Sequence, residues 1–193
     1  DRGTLVLFLG DNGPLPTFDQ SRTAGLRGSK LSLYEGGIRV PCIAWCPGRV
    51  PAGQVNEETV LSAIDFFPSL CAIAAAKLPE SYAADGEDLS GALLGGSPAR
   101  SKPLFWEYGR NQTSFAYPKE AHHRSPNVAV RDASWKLLIN ADGSGAQLFH
   151  LGSDPKETTD VAPKQLEEVA RLRELALQWW QSLPKTPATD DGR

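Results

Sequence analysis

The sequence predicts an α/β chain in two parts: a loop-rich body over residues 1–100, then about four antiparallel strands packed by a terminal helix over 101–193. Three observations lead there. The apolar run Thr4 to Leu9 stops abruptly at Gly10-Asp11-Asn12-Gly13-Pro14, as a strand stops at a loop. Beyond Lys102, short strand-like segments alternate with turn residues. The chain then closes on a stretch whose apolar residues recur every three or four positions.

Taken in order, Thr4 to Leu9 lacks polar alternation, the pattern of a strand buried on both faces of a parallel sheet. A second apolar run, Ile38 to Trp45, follows Gly36-Gly37 and is closed by Pro47-Gly48, with Pro41 marking a strand start, edge or bulge. A helix is expected from about Phe66 to Lys77, since Asp65 can take free backbone N–H groups and Pro68 loses nothing in a first turn. Its small apolar surface predicts burial against a sheet. The segment Pro79 to Lys102, with Gly95-Gly96-Ser97-Pro98, is the expected boundary between the two parts. Leu104–Tyr108, Asn127–Arg131, Trp135–Ile139 and Gln147–Leu151 then read as a meander, with turns at Arg131-Asp132-Ala133-Ser134 and around Asp142-Gly143. The covering helix is expected over 163–182, with Leu166, Val169, Leu172, Ala176 and the Trp179-Trp180 pair on its packed stripe.

Composition removes several function classes. The 193 residues carry a net charge of −3, and no Lys/Arg cluster offers the basic face that nucleic acid requires. No apolar run is long enough to span a bilayer, and the stretch 61–76 is interrupted by Asp65 and Pro68. With 18 Gly and 15 Pro the chain is neither a coiled coil nor collagen, and 40% hydrophobic content gives it a core. Three cysteines, Cys42, Cys46 and Cys71, make no disulfide framework. There is no Met, and Asp1-Arg2-Gly3 leads straight into the apolar run, so the chain reads as a fragment or a processed product whose signal peptide would lie upstream.

The candidate chemistry begins with Asp11 and Asn12 at the carboxyl end of the first strand, where α/β folds place ligand loops. A carboxylate and an amide oxygen suit a hard cation such as Ca²⁺ or Mg²⁺, although Asn-Gly also serves as a plain turn. The segment Leu26 to Pro41 combines Gly28, Gly36 and Gly37, which permit close backbone approach, with Lys30, a point charge for an anion. Glu35 or Arg39 could lock this loop by ion pairing. His122 and His123, with Arg124 and Arg110, sit in or beside a loop over about 111–126 and are candidates for an anionic substrate, the alternative being an ordinary surface loop.

Three separated pieces, in this order, carry a resemblance: the strand ending in Asp11-Asn12-Gly13, the run Leu26-Arg27-Gly28-Ser29-Lys30 through Tyr34-Glu35-Gly36-Gly37-Ile38-Arg39-Val40-Pro41, and Asp65-Phe66-Phe67-Pro68-Ser69-Leu70. Val130 to Leu137 and Gln147 to Ala162 extend it. The chain resembles the carboxyl-terminal part of the type I sulfatases, the arylsulfatase-like family. The resemblance implies part of an alkaline-phosphatase-like catalytic domain followed by a small subdomain. It implies hydrolysis of sulfate esters, aryl or carbohydrate, by a formylglycine made from Cys or Ser, with Ca²⁺ polarising the sulfate. By the same resemblance Asp11 and Asn12 are metal ligands and Lys30 contacts sulfate and the leaving oxygen.

The family's nucleophile motif, Cys or Ser, one residue, Pro, one residue, Arg, is absent from this chain. In Cys46-Pro47-Gly48-Arg49 the proline is adjacent to the cysteine, and Cys46 follows Lys30 whereas the family nucleophile precedes it. Cys46 is therefore expected to pack at a strand end. The early paired aspartates are absent too, and two oxygen ligands cannot satisfy a calcium ion. The expectation is a fragment that is inactive alone, whose partner is the missing amino-terminal portion, in a periplasmic or secreted setting. Two other classes stay open: a related phosphoryl or phosphonate hydrolase, and a noncatalytic anion- or carbohydrate-binding homologue.

Overall fold

The computed structural model describes residues 3–16, 21–108 and 120–184. The chain divides into two compact units, Asp1–Asp11 with Val40–Leu104, and Asn12–Arg39 with Phe105–Arg193. One break falls between Leu104 and Phe105. Residues 12–39, expected with the first part, belong instead with the second.

In the first unit, strand β1 (Val6–Leu9) pairs antiparallel with β2 (Cys42–Trp45), Val6 opposite Trp45 and Leu9 opposite Cys42. Among the described residues the expected parallel sheet, buried on both faces, is therefore not found. Phe8 is 68% exposed and Ile43 56%, because no second layer covers this ribbon among the described residues of its unit. An unbroken apolar run encodes a demand for burial; it does not encode which neighbour meets it. Pro41 stands just before β2, and its carbonyl accepts the Gly10 N–H at the ribbon's end.

Helix α2 (Phe66–Ile73) is shorter than expected and ends as Ala75 turns left-handed at φ 53°. It buries only Pro68 and Ser69, and Phe67 and Leu70 stay exposed, so among the described residues no sheet lies beneath it. Its contacts are with a short helical turn, Ser90–Leu93, where the Ser69 Oγ accepts the Leu89 N–H at 2.8 Å. Asp65 does gather backbone N–H groups, but not those of α2. Its carboxylate accepts from Ser62 at 2.7 Å and from Glu87 at 3.0 Å, and pairs with the Arg100 guanidinium. Arg100 also reaches Glu87 at 3.4 Å, so one buried charge cluster pins the expected linker onto the helix.

The second unit holds the meander, in the order β3 (Leu104–Glu107), β4 (Val128–Asp132), β5 (Trp135–Ile139) and β6 (Gln147–His150). Period-two alternation gives it two apolar faces. Val128, Val130, Leu137, Ile139 and Leu148 form one, buried beneath Leu172 and Ala176 of the terminal helix (Leu166–Ser182). Phe105 stacks on Trp179 at 5.2 Å, so Trp179 packs as expected, whereas Leu166 is 71% exposed because the helix begins beyond the sheet-facing stripe.

The opposite face presents Ala129, Leu138 and Phe149, and the segment around Leu33 and Tyr34 covers it. Tyr34 is fully buried, edge-on to Phe149, with its hydroxyl donating to Gln147 Oε1 at 2.7 Å. Helix α1 (Glu35–Ile38) follows directly. Because both faces need cover, the Gly-rich segment is drawn out of the first part of the chain and onto this sheet.

Candidate functional site

The loops that carry Asn12 and Lys30 are joined through backbone. The Gly13 N–H donates to the Gly37 carbonyl and the Lys30 N–H to the Pro14 carbonyl, both at 2.8 Å. Gly36 N–H donates in turn to the Arg27 carbonyl at 2.7 Å. This lacing needs bare backbone. A Cβ on Gly13 would fall onto the Gly36 carbonyl oxygen, and one on Gly37 onto that of Ser32. Gly28 adds the left-handed φ of 82° that turns the chain toward Lys30. Asn12 and Lys30, both half-buried, thus sit on adjoining loops, and Asp11, exposed, is the residue bonded to Asn12.

The Asn12 side-chain nitrogen donates to the Gly13 carbonyl at 2.9 Å, which directs the amide oxygen the other way, the oxygen a hard cation would use. No cluster of three or more His, Cys, Asp or Glu suited to a metal occurs among the described residues. The chemistry of the pair fits part of a calcium shell and falls short of a whole one.

The histidines come close to the same loop. They form a single helical turn, Ala121–His123, with ring centroids 3.9 Å apart. His123 Nδ1 accepts the Gly28 N–H at 3.1 Å, and the next turn adds Ser125 Oγ, which accepts the Leu33 N–H at 2.8 Å. Burial, then the positive charge of His122 and Arg27, holds the His123 imidazole below its ordinary value of 6.5. Gly25, Leu26, Arg27, both histidines and Thr158 are among the residues lining an open pocket of about 470 Å³. Arg124 follows the helical turn and is exposed; Arg110 lies outside the described residues. Cys46 is buried at the end of β2 as a free thiol, its carbonyl accepting the N–H groups of Arg49 and Val50, which suits packing.

The sequence reading anticipated ion pairing at Glu35 but not its partners. Lys136, fully buried on β5, brings its Nζ 2.8 Å from Glu35 Oε1 and 2.9 Å from Glu157 Oε1. The second contact is a close ion pair between the Lys136 ammonium and a Glu157 carboxylate oxygen. The other Glu157 oxygen accepts the Glu35 N–H at 2.6 Å. Burial alone would push the Glu35 carboxyl up, but Lys136, with Arg131 and Arg39, outweighs it and holds the group below the carboxylate range. Glu157 is raised: burial outweighs Lys136, and the Glu35 charge adds to it. Arg39, the other candidate lock, is exposed. The available signal was Lys136 itself, a charge at the second position of the otherwise apolar strand Trp135–Ile139.

Arg27 ties the remaining pieces together. Its guanidinium lies 3.9 Å over the Tyr34 ring, donates to the His122 carbonyl at 3.0 Å and to the Glu157 carbonyl at 3.1 Å. The turn that carries Glu157 is organised by Asp154, whose carboxylate accepts from the Thr158 and Thr159 N–H groups.

The chain is similar in sequence and fold to known proteins. The family described as N-sulphoglucosamine sulphohydrolase, C-terminal, matches residues 29–181. An N-acetylgalactosamine-6-O-sulfatase of Bacteroides thetaiotaomicron is 30% identical over 89% of this chain and 35% of its own length. Human arylsulfatase G is 38% identical over 83% of this chain and 36% of its own. The crystal structure of Ps i-CgsB in complex with k-i-k-neocarrahexaose superposes with a TM-score of 0.72 at 27% identity, covering 93% of this chain and 36% of that one. The chain spans about a third of the length of these relatives. A profile match from Ser29 to Gln181, running from the Lys30 loop through both faces of the sheet to the last helix, makes this chain a member of the sulfatase family, in its carboxyl-terminal portion.

Proposed function

We propose that this chain supplies part of the metal and sulfate site of a calcium-dependent sulfatase and is inactive without the polypeptide that carries the nucleophile. The observation that supports the reading most is the lacing of the Gly13 turn to the Gly37 loop, which brings the backbones of Asn12 and Lys30 onto adjoining loops. Asp11 and Asn12 would hold the cation through a carboxylate and an amide oxygen, with further oxygen ligands from outside the chain. When bound, the ion would act as a Lewis acid toward the sulfate oxygens.

The chain's own residues do the rest of the binding and orienting. The Lys30 ammonium is a compact charge with three donors, suited to an ester sulfate and to the oxygen on which negative charge collects as the S–O bond breaks. Preorganisation matters because a donor fixed before the reaction pays no reorganisation during it. Neutral His123 holds the Gly28 amide, two residues from Lys30, and leaves its Nε2 to donate. His122, with Arg124 and Arg110, is assigned to the substrate side, where the relatives' names point to sulfated sugars or aryl sulfates. A formylglycine nucleophile and a periplasmic or secreted setting belong to the same proposal.

The test is an assay of the full-length protein on 4-nitrocatechol sulfate and on a sulfated amino sugar, with calcium present and after chelation. Release of inorganic sulfate that depends on calcium supports the reading. Turnover of a phosphate or phosphonate ester alone would replace it with the hydrolase alternative, and binding of sulfated glycans without turnover with the noncatalytic one.

A further inference from the structure

Burying one ammonium with two carboxylates is a poor way to gain stability, since apolar side chains of similar volume would pack the same space without the desolvation cost. What charges supply better is registration: they accept one arrangement of the two surfaces and refuse a slipped one. In this chain the buried charges join three separate segments, β5 through Lys136, the turn after β6 through Glu157, and the start of α1 through Glu35. Glu35 is gripped twice, its carboxylate by Lys136 and its backbone N–H by Glu157. That N–H opens α1 and has no partner within the helix, so Glu157 acts as the cap that Tyr34 does not provide.

The grip is one residue from the lacing. Gly36 donates to Arg27 and Gly37 accepts from Gly13, so a slip at Glu35 moves the bond that folds this segment onto itself and one of the two bonds that tie it to the Asn12 loop. Glu157 is itself held in place: its backbone is left-handed at φ 54°, its turn is closed on Asp154, and its carbonyl accepts from Arg27. We infer that Lys136 and Glu157 are positioning residues, a buried clasp that sets the height and register of the Asn12 and Lys30 loops on the sheet. Neither touches substrate; they act through Glu35. The inference rests on the reading of Lys30 given above for its catalytic consequence, and on geometry alone for its structural one.

The two parts are tested together in the full-length protein. In Lys136→Met, hydrogen exchange is expected to quicken at least tenfold over residues 26–38 while 147–150 and 166–182 keep their protection. kcat on 4-nitrocatechol sulfate is expected to fall at least tenfold, and Lys136→Arg to recover part of both. If Lys136→Met does not fold, Glu157→Gln is read the same way, because it puts one amide nitrogen against a donor; several-fold faster exchange confined to 26–38 is expected. Unchanged exchange over 26–38, or an equal rise everywhere, overturns the clasp. Faster exchange there with unchanged turnover in the clasp variants overturns the positioning role. Lys30→Ala serves as the separate control: if it leaves turnover intact, the reading of Lys30 has failed, while the exchange result still decides the clasp.

Discussion

His123 accepts the backbone N–H of Gly28 through Nδ1 at 3.1 Å, a bond that only the neutral ring can make. Burial and the charges of His122 and Arg27 hold its proton affinity below the ordinary 6.5. The sign follows from linkage: the folded chain binds this proton less readily than the unfolded one, so the contribution is complete above 6.5 and is lost as pH falls from there through the lower folded value. Exchange at Gly28 and its neighbours is expected to quicken beyond the intrinsic trend as pH is lowered from the ordinary 6.5 through the depressed folded value. A His123→Gln variant, whose oxygen accepts without titrating, should flatten that dependence; an identical pH profile in the two proteins would exclude His123 as its source.

Lys30 stands on a loop whose amide is already fixed to Pro14, so removing its side chain leaves the lacing intact. Loss of one preorganised charge partner typically costs roughly 100- to 1,000-fold in kcat. Lys30→Ala in the full-length protein is expected to lose turnover in that range with little change in melting temperature. An equal fall in melting temperature would show instead that the lysine holds the fold.

For Asp11 and Asn12 the expected defect is in the metal. Each would remove one oxygen from a shell of six to eight. Asp11→Ala and Asn12→Ala should each raise the calcium concentration needed for half-maximal turnover by at least roughly tenfold. Calcium titrations followed both by turnover and by melting temperature separate this from misfolding. Asn12→Ala should carry the smaller stability cost of its bond to Gly13, a single hydrogen bond worth about 1 kcal/mol.

Much of the second unit was legible because alternation and turn residues are local properties. Trp135–Ile139 was bounded correctly from sequence, and the other meander strands lie within one residue of their expected ends. What escaped was the partner of each face. Ala129, Leu138 and Phe149 announce a second buried face, but nothing local says that Tyr34, over ninety residues earlier, will cover it. The β1 run misled for the same reason: its apolarity states a need for neighbours, and among the described residues it finds only β2, antiparallel. At the site, Lys30, Asp11 and Asn12 were visible as residue types in suggestive loops. Glu157 was not, since a glutamate in a polar turn carries no mark of burial until Lys136 is seen to face it.

Gly13 gives the sharpest test of whether the two loops form one unit. Its position demands no side chain: a Cβ there would land on the Gly36 carbonyl oxygen and lie 2.9 Å from the Gly37 Cα, and backbone cannot move aside as a side-chain tip does. Overpacking of this kind costs about 1–3 kcal/mol. The Gly13→Ala substitution can relieve the clash only by lifting the turn from Gly36, breaking the Gly13 to Gly37 bond and separating the Asn12 loop from the Lys30 loop. It is expected to lower the melting temperature modestly, yet to depress calcium affinity and kcat together, which neither Asn12→Ala nor Lys30→Ala should do alone. A Gly13→Ala protein that lost stability but kept both calcium response and turnover would mean that the lacing serves the fold and not the site.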